Sequence, residues 1–406
     1  MSAVSDDEKT GAAGSLFEVF RVFLKLGLTS FGGPIAHLGY FHNELVLRRR
    51  WVDEETYVQL VALCQFLPGP ASSQVGFSLG LLRGNGLLGG LAAWAAFTLP
   101  SALILLAFAL GANTFTGTVA EGIIHGLKLV AVAVVAQAVW GMAQSLTPDR
   151  PRAAIALCAL FLVVLLNNSF AQIAAIALGA VGGLSLCRGD SKTVQGALRF
   201  PVSRRSGAIG LALFAGLLFV PPVIAAATGE PTVRFFDAFF RSGALVFGGG
   251  HVVLPLLQNA LVAPGLVHNQ DFLAGYGLAQ AVPGPLFTFA AYLGGVAVQW
   301  PNGIVGAFLA LVAIFLPGLL LVYGTLPYWD DLRSKPGAQA AMKGANAAVV
   351  GILAAALYNP VWTSAVLSPR DFAITAAGFL LLTVWKLPSW SVVGLLAVAG
   401  LIATVL

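Results

Sequence analysis

The sequence contains few charged residues. Lysine and arginine together number 22 and aspartate and glutamate 17, so only 10% of the 406 residues are charged. Soluble domains need about 25% charged residues to keep their surfaces wet, and this composition therefore excludes an ordinary soluble protein. Hydrophobic residues make up 58% of the chain instead. We expect an all-α polytopic membrane protein whose outer surface faces the lipid bilayer.

Cysteines and basic clusters are also scarce. The three cysteines lie far apart without a CxxC pair, which excludes a disulfide framework and a structural zinc site. The net charge of +5 is dispersed, and no basic run alternates with aromatic residues as it does in proteins that bind nucleic acid. Asp6, Asp7 and Glu8 occupy positions where a cleaved signal peptide carries lysine or arginine. We expect no metal, no cofactor, no nucleic-acid partner and no cleaved signal.

About thirteen apolar segments of helix length follow one another along the chain. Several, including 16–30 and 233–247, are shorter than the roughly 20 residues that cross a bilayer, which indicates half-helices or re-entrant segments. The most basic connection, 187–206, is placed in the cytoplasm by the positive-inside rule. Counting spans from it puts the N-terminus in the cytoplasm and the C-terminus on the opposite side. The arginines at 48–50 contradict this count unless 31–55 is re-entrant.

The second half of the chain repeats the unusual features of the first, displaced by 215 to 218 residues. The matched segments are FGGP at 31–34 with FGGG at 247–250, QFLPGP at 65–70 with QAVPGP at 280–285, LPS at 99–101 with LPG at 316–318, and Gly126 with Gly344. This predicts a cytoplasmic tail at 1–15, repeats at 16–186 and 233–406, and a basic loop with a linker helix at 187–232.

The predicted repeats have opposite orientations in the membrane, because about six spans and the linker helix precede the second repeat. Inverted repeats with broken helices are typical of secondary transporters that work by alternating access, with the substrate site near the midplane. A duplication that merely enlarged a scaffold is the alternative, but it leaves the duplicated helix breaks unexplained.

Charged residues occur inside the first apolar segment of each repeat. Glu18, Arg21 and Lys25 share a helical face, and Arg234, Asp237 and Arg241 repeat their spacing. Each unpaired charge costs ~3 kcal/mol at the bilayer centre, so these side chains must pair or contact water. We expect the ion pairs Glu18–Arg21 and Arg234–Asp237, which leave Lys25 and Arg241 to bind a dianion. Location at the membrane interface, where Lys and Arg snorkel, is the alternative.

The two Pro-Gly-Pro segments predict helix breaks. Each helix should end near Pro68 or Pro283 and restart beyond Pro70 or Pro285. A restarted helix has free N–H groups and the positive end of its dipole, and it therefore favours an anion. The glycines of the FGG segments at 31–33 and 247–249 predict a second pair of such sites. A plain kink that shapes helix packing is the alternative.

Glu121, His125 and Lys128 share one face of the segment 118–144, and Lys343 matches His125 in the second repeat. Glu121, His125 and Lys343 are candidates for a proton relay or a secondary anion contact, although a lone histidine in a helix is usually a packing residue. The remaining histidines are expected in loops. Ser78 lies in a GxSxG match, but this signal is weak without a strand before the serine, and we expect no enzyme.

The FGGP motif, the following Trp51 and the QxxPGP motif of each half resemble the chromate ion transporter family in its long-chain, two-domain form. The resemblance covers about residues 16–400. The family pattern corresponds to Phe31, Gly32, Gly33, Gln65, Pro68, Gly69 and Pro70, and to Phe247, Gly248, Gly249, Gln280, Pro283, Gly284 and Pro285.

The resemblance implies export of chromate across the bacterial inner membrane, giving chromate resistance, with sulfate as an alternative oxyanion. In that membrane the count of spans makes the C-terminus periplasmic, and a homodimer is compatible with this interpretation. Uptake of sulfate or molybdate is the competing function, and an intramembrane serine hydrolase acting through Ser78 is a remote one. Gly250 replaces the proline of FGGP in the second half, so the two halves of the site are not expected to be identical.

Overall fold

The computed structural model describes residues 14–111, 117–166, 169–187, 200–247, 250–329, 331 and 335–405, and the regular elements in these ranges are all helical. The first half contains α1 (Leu16–Thr29), α2 (Gly33–Phe41), α3 (Glu54–Phe66), α4 (Ala71–Arg83), α5 (Leu87–Gly111), α6 (Thr118–Leu146), α7 (Arg150–Leu166) and α8 (Ser169–Leu186). A π-helical segment, His42–Arg48, continues α2 directly.

The second half follows a linker helix, α9 (Arg204–Thr228), and repeats this order. It contains α10 (Pro231–Ala244), α11 (Val253–Leu261), α12 (Asn269–Ala281), α13 (Phe289–Gly295), α14 (Gly303–Thr325), α15 (Pro336–Ala356), α16 (Pro369–Thr383) and α17 (Ser389–Val405). Short 3₁₀ turns, Gly250–Val252 and Leu286–Thr288, precede α11 and α13. In each half, four short helices precede two long ones, and the duplication seen in the sequence therefore recurs in the order of elements.

Five helices are long and apolar enough to cross a membrane: α5, α6, α9, α14 with its 3₁₀ extension, and α15 with the turns that follow it. The first and third helices of each half, α1, α3, α10 and α12, are only 13 or 14 residues long. Such a helix extends about 20 Å, against about 30 Å for the hydrocarbon core. These lengths agree with a polytopic membrane protein in which several apolar segments are half-helices.

The segment after α1 folds back along α1. The ring of Phe41 packs edge-on against Phe23 at 5.6 Å, and the Trp51 ring lies 6.3 Å from Phe23. The Arg83 guanidinium at the end of α4 lies 5.4 Å from the Trp51 ring and forms an ion pair with Glu18 near the start of α1. The start of α1, residues 48–51 and the end of α4 therefore lie at one end of the first half.

The two halves meet through reciprocal hydrogen bonds at their Pro-Gly-Pro segments. The N–H of Gly69 donates to the carbonyl of Val246 at 2.7 Å, and the N–H of Gly284 donates to the carbonyl of Ser30 at 2.8 Å. Gly69 corresponds to Gly284 and Ser30 to Val246 in the repeat alignment. Each Pro-Gly-Pro segment thus binds the end of the first helix of the opposite half.

One long helix of each half packs against the other half. Helix α6 packs on α16 and α17 of the second half, and its counterpart α15 packs on α7 and α8 of the first. The backbones touch at glycines: Gly126 lies against the carbonyl of Leu396, and Gly344 lies against the carbonyl of Gly179. The two repeats are therefore intertwined rather than packed as separate domains.

Candidate functional site

The Pro-Gly-Pro segments interrupt their helices where the sequence predicts. Helix α3 ends at Phe66 and α4 begins at Ala71, while α12 ends at Ala281 and the chain becomes helical again at Leu286. Gly69 and Gly284 have φ values of +122° and +100°, which are strained for any residue with a Cβ. The glycine between the prolines is thus required by the backbone itself.

The restarted helices carry backbone donors without acceptors. The first backbone bond in α4 runs from Gln74 N–H to the Pro70 carbonyl at 3.0 Å, and in the described chain the N–H groups of Ala71, Ser72 and Ser73 have no backbone acceptor. In the second half, Thr288 is the first residue to bond back, to Pro285. These free donors and the helix dipole create a positive potential at each restart.

Buried polar side chains surround the start of α4. Ser30, His37, Ser72 and Ser73 are at most 2% exposed. His37 Nδ1 lies 3.3 Å from Ser72 Oγ, and His37 also contacts the backbone of Ser30. Among the described residues, Ser30 Oγ, Ser73 Oγ and His37 Nε2 have no hydrogen-bond partner. We call these four residues the hydroxyl–histidine cluster.

The hydroxyl–histidine cluster was not predicted from the sequence, which placed His37 in a loop. A buried polar atom without a partner costs about 1–3 kcal/mol, so each such atom calls for a partner such as a ligand, an ion or an ordered water. The available signal was the polar run Ser72-Ser73-Gln74, one residue after Pro70, in a chain that is otherwise strongly apolar.

Gln74 fixes the first restart against the second half. Its buried Nε2 donates to the carbonyls of Pro68 and Gly318, each at 3.0 Å. A methyl group at Gly69 would lie 3.0 Å from the Cα of Gly318, and one at Gly284 would lie 2.8 Å from Ser101 Oγ. Gly318 and Ser101 follow the matched prolines inside the long helices α14 and α5, so each Pro-Gly-Pro break packs on the equivalent part of a long helix.

The two FGG segments differ in what the structure describes. Gly32 and Gly33 have φ values of +98° and +83° and initiate α2. A methyl group at Gly33 would meet no atom within 4 Å, so the start of α2 faces open space. Gly248 and Gly249 lie outside the described residues.

The matched glutamines of the two QxxPGP motifs have different environments. Gln65 is exposed, whereas Gln280 Nε2 is buried with no partner among described residues.

The charged stripes form different ion pairs from those predicted. Glu18 pairs with Arg83 at 3.0 Å rather than with Arg21, and Asp237 pairs with Arg241 at 3.0 Å rather than with Arg234. Lys25 also has a partner, since its Nζ lies 3.7 Å from the carboxylate of Glu44. The expectation that Lys25 and Arg241 remain unpaired is therefore wrong.

Each charged stripe lines its own cavity, one in each half. The first cavity, of about 580 Å³, is lined by residues that include Glu18, Arg21 and Lys25. The second, of about 690 Å³, includes Arg234, Asp237 and Arg241. Neither Pro-Gly-Pro segment lines either cavity. The stripes therefore line cavities that do not include the helix restarts.

The three candidates for a proton relay do not lie together. His125 Nε2 lies 2.7 Å from Asp371 Oδ1, near the start of α6. Lys343 acts on Asp149, whose pKa is lowered by the hydrogen bond from Arg152 and also by the charge of Lys343. Asp149 follows the end of α6, and the 21 residues from His125 to Leu146 extend about 30 Å. Glu121 is one turn of helix from His125 and distant from Lys343.

Ser78 has no environment suited to a nucleophile. Its hydroxyl donates to the carbonyl of Gln74 at 2.8 Å within α4, and the residue is fully buried in a helix. The nucleophile motif requires a sharp turn between a strand and a helix, which is not the structure at this position.

Comparison with known proteins identifies the family. A model of the chromate transporter family matches residues 17–184 and again residues 233–401. The chain belongs to the chromate transporter family. The two matches correspond to the two repeats, and the resemblance seen in the FGGP and QxxPGP motifs is confirmed.

Similar proteins with assigned names are transporters of the same size. The chain is 30% identical to the chromate transport protein of Pseudomonas aeruginosa over 399 residues, covering 95% of this chain and 91% of that protein. It is 29% identical to the probable chromate transport protein of Synechococcus elongatus, covering 96% and 95%. The chromate transport protein of Cupriavidus metallidurans is 26% identical over 97% of this chain and 96% of its own length. No solved structure matches the chain. The protein is a multi-pass membrane transporter rather than an enzyme.

Proposed function

We propose that the protein exports chromate from the cytoplasm and that the anion binds at the start of α4. The observation that carries this proposal is the hydroxyl–histidine cluster, which has unpartnered atoms on Ser30, Ser73 and His37, together with the free N–H groups at the start of α4. A tetrahedral dianion has four acceptor oxygens, each of which can receive such donors. The names of the similar proteins support chromate as the cargo.

The proposed topology is inverted, with re-entrant segments in each repeat. Residues 48–51, which connect the α1–α2 segment to α3, lie beside Glu18 and Arg83. This position supports two re-entrant hairpins, α1–α2 and α3–α4, that each enter and leave the membrane on the same side. The arginines at 48–50 then lie on the same side as the 187–206 loop, the cytoplasm, and the conflict with the positive-inside rule disappears. Each repeat crosses the membrane four times rather than about six, and α9 adds one crossing. The C-terminus is then periplasmic.

In this arrangement the two cavities open on opposite sides of the membrane. The Pro-Gly-Pro segments, joined by the reciprocal bonds of Gly69 and Gly284, separate the cavities near the midplane. Export by alternating access requires relative movement of the repeats that exposes the hydroxyl–histidine cluster first to one cavity and then to the other. The backbone bonds at Gly69 and Gly284 are the contacts that must change.

Export of a dianion needs no coupled ion. The membrane potential supplies ~2.3 kcal/mol per charge per 100 mV, or about 4.6 kcal/mol for a dianion, which sustains a gradient above 10³. Proton exchange is compatible with the site but not required. This export across the bacterial inner membrane would give chromate resistance.

Uptake of labelled chromate into inverted membrane vesicles tests the proposal. We expect uptake that depends on the protein, that falls when the potential is collapsed, and that sulfate inhibits by competition. Uptake of sulfate or molybdate in the inward physiological direction is the second candidate, because a tetrahedral site accepts either anion. Uptake of sulfate into right-side-out vesicles without any chromate transport in inverted vesicles would support that candidate and contradict ours.

A further inference from the structure

Glu44 is a nearly buried carboxylate surrounded by three cations. Its side chain is 11% exposed and contacts Lys25 Nζ at 3.7 Å, Arg48 Nη1 at 3.0 Å and Arg49 Nε at 2.8 Å. The π-helical backbone, in which Arg49 N–H bonds to the Glu44 carbonyl, puts both arginines beside the carboxylate. Lys25 and Arg48 remain 54% and 65% exposed. Solvent can therefore reach the cations while Glu44 lies beneath them.

The neighbouring cavity has an excess of positive charge. Lys25, Arg48 and Arg49 line it together with Arg21, which has no ion-pair partner among the described residues. The two carboxylates of this region, Glu18 and Glu44, face five cations, since Glu18 is held by Arg83. The excess suits a dianion.

The second half has no counterpart of this arrangement. Ala260, Pro264 and Gly265 match Glu44, Arg48 and Arg49 at the repeat displacement of 216 residues. Ala260 and Pro264 line the second cavity, where Arg241 is held by Asp237. The second cavity is lined by two cations and one carboxylate, so the larger excess of cations belongs to the first half.

We propose that the cavity beside α1 is a second oxyanion site, at which an entering dianion displaces Glu44 from Lys25, Arg48 and Arg49. The proposal rests on the proposed function for its cargo and orientation. Under that topology the site loads anions from the cytoplasm. Glu44 acts as a built-in competing anion, which keeps occupancy low until the oxyanion concentration rises. Because α2 and the π-helical segment are continuous, displacement of Glu44 acts on the helix that carries His37.

Binding of labelled sulfate to the full-length protein in lipid nanodiscs tests this site without requiring transport. We expect two sulfate ions per wild-type chain and one in the double variant Arg48→Gln with Arg49→Gln. Glu44→Gln should retain both and bind the second about fivefold more tightly, as expected for loss of one electrostatic competitor. Arg152→Gln removes a cation that is paired with Asp149 away from the cavity, and it should keep the wild-type affinity.

One sulfate per wild-type chain that the Arg48 and Arg49 variant still binds, or equal losses in the Arg152 variant and in the Arg48 and Arg49 variant, would overturn the second site. Unchanged sulfate affinity in Glu44→Gln would overturn the competing role of its carboxylate. Failure of the proposed function is recognised separately, because it would appear as absent chromate uptake in vesicles while the count of bound sulfate stays at two.

Discussion

Ser73 and Ser78 are one and a half turns apart on α4, yet their hydroxyls have different environments. Residues 72–81 of this helix are all buried, so every polar side chain on it must find a partner or remain unsatisfied. Ser78 bonds to the carbonyl of Gln74 within its own helix. Ser73 Oγ has no partner among the residues described and lies in the first turn, where the backbone donors are free.

We predict that Ser73→Ala lowers chromate uptake into inverted vesicles about tenfold, the value of one hydrogen bond to a charged ligand. Ser78→Ala is the matched control, because it removes the same hydroxyl from the same helix and should leave uptake unchanged. Chromate uptake by Ser73→Ala equal to that by Ser78→Ala would mean that Ser73 does not bind the anion. Loss of uptake only in Ser78→Ala would favour a role for the GxSxG match instead.

The charged residues of α1 form ion pairs with residues that are distant in the sequence. The sequence placed Glu18, Arg21 and Lys25 on one helical face, and the first cavity is lined by all three. Their partners could not be found by helical spacing, since Glu18 pairs with a residue 65 positions later. Spacing describes neighbours on one helix, whereas Arg83 reaches Glu18 only because α4 returns beside the start of α1.

At the level of elements, glycines set the distance between the long helices α6 and α15 and the opposite half on which each packs. A side chain at Gly126 would strike the backbone of α17, and one at Gly344 would strike the backbone of α8. The two glycines, and the helices that they contact, occupy equivalent positions in the two repeats. Small residues let helix backbones approach within a membrane, where apolar burial gives little driving force for association.

We predict that Gly126→Ala and Gly344→Ala each destabilise the protein by about 1–3 kcal/mol, the usual effect of overpacking. Thermal unfolding in detergent, followed by intrinsic fluorescence, would measure the lower midpoint. Gly141→Ala is the control on the same helix α6 as Gly126, because a methyl group there meets nothing within 4 Å. A midpoint for Gly126→Ala equal to that of Gly141→Ala would contradict the close contact of α6 and α17.

For the whole molecule, the proposed inverted topology places the loops that follow the hairpins of one repeat on the opposite side of the membrane from those of the other repeat. Residues 49–53 follow the first re-entrant hairpin, and residues 296–302 follow the second hairpin of the other half. Arg50 and Gln299 are both exposed. In the proposed topology, re-entrant hairpins in both halves and an odd number of crossings between them would place Arg50 in the cytoplasm and Gln299 in the periplasm.

We predict that a membrane-impermeant thiol reagent labels Arg50→Cys only in inverted vesicles and Gln299→Cys only in right-side-out vesicles. The native Cys158 and Cys187 are replaced by serine in both variants, and Cys64 is buried. Labelling of both positions from the same side would exclude inverted repeats. Labelling of Arg50→Cys from outside would mean that the first hairpin crosses the membrane.

The amino-acid sequence alone determined the membrane class, the duplication and the positions of the helix breaks. These properties depend on local chemistry: apolar runs partition into lipid, and Pro-Gly-Pro removes backbone bonds wherever it occurs. Only the tertiary structure decided which charges pair, that His37 is buried against Ser72 and the backbone of Ser30, and that long helices pack against the opposite repeat. Those outcomes depend on how the short helices fold back on one another, which brings together residues that no local period relates.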